Sequence, residues 1–218
     1  MENKLTEQQI REIETQLSCP KGKNGIEIGH KMNESNIGMT KNSIQFLDLE
    51  SNDFVLEIGH GNCGHLELIL GVSSGIKYFG LEVSKTMWEE AQKMNTKGQA
   101  RFKLYDGQII PYPDNYFKRI FTVNTIYFWS NPEGFIKEIE RVLKDDGVIV
   151  LTYADKSFMK HLPFVGEKFN LFDNDDILRL AQKANLRIIG SRNKSDEIES
   201  KTGNKVLRKY TMVKMRKQ

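Results

Sequence analysis

The sequence predicts an α/β fold, in which a doubly wound, mainly parallel sheet carries helices on both faces and an antiparallel hairpin at one edge. Short apolar stretches alternate with amphipathic ones across residues 51–153, which is typical of parallel strands joined by right-handed helical crossovers. Two β-rich stretches, 186–192 and 206–215, are separated only by the polar run 193–204 and indicate an antiparallel pair. With 218 residues, the chain is long enough for one well-buried domain.

The first 50 residues are expected to form a helical cap or lid. Thr6 precedes apolar residues at three- and four-residue steps, so a short amphipathic helix is predicted over residues 6–17. Residues 21–39 follow no regular period, yet they are too apolar for a free linker. We interpret them either as a lid that folds over the ligand site or as a loop packed on the core. A helix over residues 40–49 leads into the first strand.

Residues 51–153 are the predicted binding core, with strands at 54–58, 77–81, 100–105, 119–125 and 148–153. Helices are predicted between and after them, at 85–94, 132–143 and 174–184. Ser84 is placed to cap the first of these helices and Pro132 to open the second, and a turn at 144–147 precedes the fifth strand. Residues 154–218 complete the single domain. Their irregular aromatic stretch 155–172 is expected to cover the pocket, and the hairpin brings the sheet to seven strands.

Three glycines at the exit of the first strand mark the candidate ligand site. Gly59, Gly61 and Gly64 form the pattern G-x-G-x-x-G. The first glycine permits the sharp turn off the strand, the second lets a ligand approach bare backbone, and the third lets the next helix pack on the strand. The pattern alone is weak, because glycines that simply turn a chain at a strand end produce it as well.

Two acidic residues strengthen this interpretation. Glu57 stands two residues before Gly59, at the carboxyl end of the first strand, where open α/β sheets bind ligands. Glu82 ends the second strand and follows Gly64 by 18 residues, close to the spacing at which an acidic residue binds ribose hydroxyls in dinucleotide folds. A buried carboxylate at Glu57 would need partners, which a cationic amino acid moiety would supply. The sequence therefore favours a ribosylated cofactor.

Bulk composition argues against several other classes of function. The net charge is +3 with both signs spread along the chain, so nucleic acid is not indicated as a partner. No apolar run approaches the ~20 residues of a membrane span, and the N-terminus lacks an apolar signal core. Cys19 and Cys63 fit reduced, intracellular thiols, so a cytoplasmic protein is expected. No group of histidines and carboxylates has convincing metal-ligand spacing, and no metal is expected.

Four motifs recur in the order of one known family. They are Glu57-Ile-Gly-His-Gly, then Gly80-Leu-Glu-Val-Ser, then Asp106-Gly with the run 110–120, and finally the run 138–147. In these motifs the chain resembles the class I S-adenosylmethionine-dependent methyltransferases, and within them the branch of ubiquinone and menaquinone biosynthesis. The resemblance covers residues 53–153 closely. It implies a Rossmann-like fold and S-adenosyl-L-methionine as the cofactor.

The resemblance also implies which residues hold the methionine part of that cofactor. Gly59 and Gly61 would pass beneath it, with Glu57 near its amino group. Asn124, at the end of the fourth strand, would lie beneath the sulfonium and the methionine side chain.

For the adenosine part, the resemblance implies that Glu82 holds the ribose hydroxyls while Val83 and Met87 line the adenine. Asp106 would accept a hydrogen bond from the adenine amino group, and Gly107 would donate its backbone amide to the ring. Two simpler interpretations stay open: Asp106 could cap a turn with Gly107, and Met87 could be an ordinary core residue.

Methyl transfer from a sulfonium is an in-line displacement, so alignment and exclusion of water are the protein's main tasks, and no catalytic residue is assigned. If the acceptor must lose a proton, the candidate bases are His30 in the proposed lid, Tyr127 after the fourth strand and Tyr153 after the fifth. The aromatic run 127–129 and the phenylalanines of 155–172 favour a small, partly apolar acceptor, which the sequence does not identify.

Two other functions share these features. A nicotinamide-dependent oxidoreductase, which would use NAD(P), has the same glycine turn and acidic residue, whereas Asp106-Gly107 and the antiparallel edge argue against it. A non-catalytic subunit could keep the fold without turnover. A monomer or a homodimer is expected in each case.

Overall fold

The computed structural model describes residues 6–95, 97–199 and 205–218. Seven strands form one sheet, namely β1 (Phe54–Ile58), β2 (Lys77–Glu82), β3 (Ala100–Leu104), β4 (Phe117–Val123), β5 (Leu143–Ala154), β6 (Leu186–Glu199) and β7 (Lys205–Lys217). They lie in the order β3-β2-β1-β4-β5-β7-β6. Strands β1 to β5 are parallel, whereas β7 is antiparallel to β5 and β6. The predicted seven-stranded α/β fold is confirmed.

The helices lie on both faces of this sheet. They are α1 (Glu7–Ser18), α2 (Gly22–Leu47), α3 (Leu66–Leu70), α4 (Lys85–Met94), α5 (Pro132–Val142), α6 (Lys156–Met159) and α7 (Asn174–Lys183). Apolar side chains of α2, α3 and α4 form one core with alternate strand residues such as Val55, and those of α5 and α7 form the other with Leu56 and Ile58. This alternation follows from the two-residue period of a strand. Within the described residues, no helix is both long and apolar enough to cross a bilayer.

Capping residues begin three helices where the sequence predicts them. Thr6 and Gln9 form a reciprocal capping box at α1, since each side chain bonds the other residue's backbone N–H. The Ser84 hydroxyl accepts from the Met87 amide at α4, and Pro132 stands in the first turn of α5. The side chains of Thr6 and Ser84 satisfy amide groups that have no partner within the helix, whereas Pro132 removes one such amide.

The prediction that residues 21–39 are irregular is wrong, because α2 runs unbroken from Gly22 to Leu47 and takes in residues 40–47 of the predicted helix 40–49. Glycine lowers helix propensity by ~1 kcal/mol relative to alanine, but packing overrides this here. A Cβ atom on Gly25 would lie 2.7 Å from the carbonyl carbon of Pro20, and one on Gly29 would lie 2.5 Å from Met87 Sδ. These glycines let α2 approach the α1–α2 turn and α4 closely.

Two boundaries at the other end of the chain also differ from the prediction. The predicted turn 144–147 belongs to β5, where it forms an irregularity between the pairs Phe117–Leu143 and Arg119–Val148. Most of the polar run 193–204 continues the hairpin, although residues 200–204 lie outside the described part. The β5–β7 pairing stops at Ala154 and Tyr210, whereas β6 and β7 stay paired to Glu199 and Lys205. A two-stranded ribbon therefore extends beyond the end of β5.

Substitution of Gly25 tests the close approach of α2. Gly25→Ala places a Cβ against backbone of Pro20, which cannot move freely, and overpacking of this kind costs about 1–3 kcal/mol. Alanine gains ~1 kcal/mol of helix propensity, so we expect a net loss of about 1 kcal/mol in the free energy of unfolding, measured by urea denaturation. Asn24→Ala, at an exposed position of the same turn, is the control and should not destabilise the protein. A stabilised Gly25→Ala variant would contradict the packing.

Candidate functional site

A cavity of about 240 Å³ opens at the carboxyl ends of β1, β2 and β4. This is the edge at which open α/β sheets bind ligands. Its walls come from α2, the glycine turn, the segment that follows α6, and the tip of the β6–β7 ribbon. Phe158, Phe164 and Phe169 from the aromatic stretch 155–172 line it, together with Phe128.

The glycine turn presents backbone to this cavity. Gly59 and Gly61 have φ angles of +73° and +58°, which L side chains rarely adopt. A Cβ on Gly61 would meet no atom within 4 Å, so this residue opens onto free space. A Cβ on Gly59 would overlap the Thr125 side chain, and Gly64 approaches Asn33 in a similar way. The turn thus exposes bare backbone at Gly61, while Gly59 and Gly64 on either side pack against Thr125 and Asn33.

Glu82 lines the cavity beside the glycine turn. Its carboxylate is buried and accepts hydrogen bonds from the backbone N–H groups of Gly61, Val83 and Ser84, each at 2.9 Å. Burial raises the pKa of the Glu82 carboxyl, although the three N–H groups oppose the change. The carboxylate is therefore held rigidly at the edge where a ligand hydroxyl could reach it.

Glu57 also lines the cavity, but its carboxylate has protein partners. His65 Nε2 lies 2.8 Å from Glu57 Oε2, and the Tyr78 hydroxyl donates to the same oxygen. Burial lowers the pKa of the His65 imidazolium, yet the charge of Glu57 and its hydrogen bond outweigh this, so the pKa lies above its ordinary value. A ligand cation is thus not required to explain the buried carboxylate. Its role near a ligand amino group stays a prediction.

A third side chain lies close to this pair. Potential ligand atoms of Glu57, Cys63 and His65 all lie within 4.8 Å of one another, which no spacing in the sequence indicated. Hydrogen bonds among Glu57, His65 and Tyr78, and the Cys63 Sγ that lies 3.4 Å from the Tyr78 hydroxyl, give each of these groups a partner in the protein. Burial also raises the pKa of the Cys63 thiol, which keeps it protonated.

The residues predicted to surround the adenine are only partly brought together. Val83, Met87 and Gly107 line the cavity. Asp106 is exposed and does not line it, because its carboxylate accepts from the amides of Gln108 and Ile109 and so caps its own loop. Those bonds hold the pKa of the Asp106 carboxyl below its usual value. The simpler interpretation of a turn cap describes this structure, and an adenine contact stays a prediction.

Of the three candidate bases, one lines the cavity. Tyr127 does so, but its hydroxyl already bonds Asn124 Oδ1 and the backbone of Ala154, and burial raises its pKa. His30 is exposed on α2 outside the lining, with Nδ1 3.3 Å from Asn62 Nδ2. Tyr153 also lies outside the lining, and its hydroxyl donates to Asn174 Oδ1 at 2.7 Å. None of these three groups is placed as a free base in this structure.

Sequence reasoning missed several polar residues of the site. Asn33 and Asn36 line the cavity from α2, and Arg208 lines it from β7. The first two fall in the stretch without a regular period, and Arg208 falls in a basic run near the end of the chain. His60, between the first two glycines, is buried against Phe102, and its Nε2 has no hydrogen-bond partner within the described residues. Only the position of His60 in the turn carried a signal.

The buried imidazole of His60 makes the stability depend on pH. Burial lowers the pKa of His60 to about 4, so between pH ~6.5 and ~4 the unfolded chain binds a proton that the folded protein does not. Acidification from pH 7 to pH 5 should therefore cost about 2 kcal/mol of stability through this residue. In His60→Gln, urea denaturation should show a loss of stability between pH 7 and pH 5 that is smaller by about 2 kcal/mol. His161→Gln, at an exposed histidine, is the control, and equal losses in all three proteins would refute the assignment.

Three comparisons agree with this geometry. Residues 56–151 match the family model described as a methyltransferase domain. The chain is 27% identical over 127 residues to the uncharacterized methyltransferase YdaC of Bacillus subtilis, a match that covers 57% of this chain and 68% of YdaC. A chain from the complex of the Haloferax volcanii Trm112 methyltransferase activator with a methyltransferase superposes with a TM-score of 0.71 at 16% identity, over 86% of this chain and 93% of that one.

A Thermotoga maritima structure extends the likeness over nearly the whole chain. It is described as a S-adenosylmethionine-dependent methyltransferase, possible histamine N-methyltransferase, and it covers 96% of this chain and 100% of its own at a TM-score of 0.66 and 18% identity. At this identity the likeness concerns the fold alone. The matched domain and the relative in Bacillus subtilis support the resemblance to the class I S-adenosylmethionine-dependent methyltransferases.

Proposed function

We propose that this protein transfers a methyl group from S-adenosyl-L-methionine to a small, partly apolar acceptor by in-line displacement. The observation that carries the proposal is the juxtaposition of Glu82 and Gly61. A buried carboxylate and a stretch of bare backbone meet at one edge of a cavity whose remaining walls are rich in aromatic side chains. That combination suits a ligand with a polar ribosyl part next to an apolar acceptor site.

The residues present fit this cofactor. Glu82 would accept hydrogen bonds from the ribose hydroxyls, and Gly61 would let the methionine part lie against its backbone. Val83 and Met87 would contact the adenine, with Gly107 beside them. Asn124 lines the cavity at the end of β4, where the sulfonium is expected. When bound, the cofactor supplies a methyl group that is already activated on sulfur.

The contribution of the chain itself is alignment in a site shielded from water. Phe128 and Phe169 pack edge to face with ring centroids 4.8 Å apart and form part of the acceptor wall. Effective molarities of about 10⁵–10⁸ M can arise from such alignment alone. Because the Tyr127 hydroxyl is already hydrogen-bonded, we propose an acceptor that reaches the site as a competent nucleophile rather than one that is deprotonated there.

Two alternatives make different predictions for ligand binding. A nicotinamide-dependent oxidoreductase would bind NADH in the same crevice, and a non-catalytic subunit would bind the cofactor without turnover. Titration calorimetry with S-adenosylhomocysteine and with NADH separates the first from the proposal. A broad acceptor panel in the presence of S-adenosylmethionine tests the second. We further propose that the protein acts in the cytoplasm as a monomer or homodimer.

The Glu82 side chain provides the direct test of cofactor binding. Glu82→Ala removes charged hydrogen bonds to the ribose, so S-adenosylhomocysteine should bind about 1–3 kcal/mol more weakly, which is a 5- to 150-fold rise in Kd. Glu90→Ala is the control, because Glu90 is also largely buried but lies on α4 outside the lining. Calorimetry measures the Kd of S-adenosylhomocysteine for both variants, and thermal unfolding confirms that both are folded. An unchanged Kd in Glu82→Ala would mean that the ribose is held elsewhere.

A further inference from the structure

The amide orientation of Asn124 is fixed by backbone. Its Oδ1 accepts from the backbone N–H of Ala154 at 3.1 Å, and the Tyr127 hydroxyl lies at the same distance from that oxygen. Since a backbone N–H can only donate, this side of the amide must be the oxygen. Nδ2 of Asn124 therefore points the other way, toward Asn36 Oδ1 at 3.1 Å and Met39 Sδ at 3.3 Å.

The orientation of the Asn124 amide also fixes the orientation of the Asn36 amide. Asn36 Oδ1 accepts from Asn124 Nδ2 and, at 2.8 Å, from Nη1 of Arg208. Both neighbours are donors at these atoms, so the Asn36 amide cannot be turned around without losing two hydrogen bonds. Arg208 is itself held in place, because Asp196 binds Nε and Nη2 at 3.0 and 2.7 Å, and Nη2 also donates to the Ser35 carbonyl.

The other end of the Asn36 amide is left for a ligand. Asn36 lines the cavity and is half-buried, and no hydrogen bond among the described residues involves its Nδ2. The N–H groups of Asn36 Nδ2 are therefore donors without an assigned partner. Their direction is set by the hydrogen bonds that Asn36 Oδ1 accepts from Asn124 and Arg208. Asn36 bonds Asn124 at the end of β4, where the sulfonium is expected, and Arg208 of β7, so it would lie beside the methyl group that an acceptor must approach.

The surroundings indicate what this donor would bind. Phe128, Phe158 and Phe169 supply apolar wall, and the charge of Arg208 is compensated by Asp196. A neutral donor in such a wall selects an oxygen lone pair on an otherwise apolar molecule, since leaving either partner unpaired would be costly. We propose that Asn36 determines acceptor specificity, by donating from Nδ2 to a carbonyl or similar oxygen of a small, largely apolar acceptor. This proposal rests on the proposed methyl transfer.

Asn36→Asp separates this role from a structural one. An aspartate can still accept from Asn124 and Arg208, but it offers an oxygen where Asn36 offers N–H groups. The matched control is Asn42→Asp. Asn42 also lies on α2 and bonds β7, through Tyr210, yet it lies outside the cavity lining. The probes are acetophenone and ethylbenzene, which differ in the carbonyl oxygen, titrated by ligand-observed NMR into protein saturated with S-adenosylhomocysteine.

We expect the ratio of the acetophenone Kd to the ethylbenzene Kd to rise about tenfold in Asn36→Asp and to stay unchanged in Asn42→Asp. The Kd of S-adenosylhomocysteine should remain within twofold in both variants. An unchanged probe ratio in Asn36→Asp would overturn the proposal, and so would a wild-type protein that binds S-adenosylhomocysteine but neither probe. A weakened S-adenosylhomocysteine complex in Asn36→Asp would instead assign Asn36 to the cofactor. Failure of the wild type to bind S-adenosylhomocysteine would refute the proposed function itself.

Discussion

A buried carboxylate at the end of β1 holds together the part of the cavity wall around the glycine turn. Removing an ionised carboxylate from water is costly unless it is paired and hydrogen-bonded, and Glu57 is only 3% exposed. Its partners come from two other elements: His65 from the glycine turn and Tyr78 from β2. His65 Nδ1 in turn lies 3.2 Å from Asn33 Nδ2 on α2. This hydrogen-bonded group thus links β2, the glycine turn and α2 to the end of β1.

The cavity that results has two chemically distinct sides. The first is built by local sequence, because the glycine turn and the end of β2 supply bare backbone and the Glu82 carboxylate. The second is assembled from distant parts of the chain, with amide side chains from α2 and β4, aromatic rings near α6 and a guanidinium from β7. This division suits the proposed methyl transfer, which needs one site for the cofactor and one for the acceptor. The first side lies in the matched methyltransferase domain, whereas the acceptor specificity proposed above would belong to the second.

The sequence predicted the first side better than the second for a physical reason. Strand periodicity and positive-φ glycines are local signals, so the order of strands and the place of Gly59, Gly61 and Glu82 could be predicted from neighbouring residues. The continuous helix α2 was missed because close packing onto Pro20 and Met87, rather than propensity, justifies its glycines. Arg208 and Asn36 are 172 positions apart, and no local pattern predicts their bond. Sequence position also placed His30 and Tyr153 near the site, but neither lines the cavity, because His30 is exposed beside Asn62 and Tyr153 bonds Asn174.

The continuity of α2 has a consequence for how ligands enter. Its last turns are packed into the core through Met39, Ile44 and Leu47, while its middle lines the cavity from Gly29 to Thr40. A helix of 26 residues is about 39 Å long and behaves as one stiff rod, so it cannot swing aside without pulling its own end out of the core. Under the proposed function, entry of cofactor and acceptor would then depend on the shorter elements around the cavity. Glu14 of α1 reaches the segment after α6 through an exposed hydrogen bond from the Lys168 amide, a contact that water can replace at little cost.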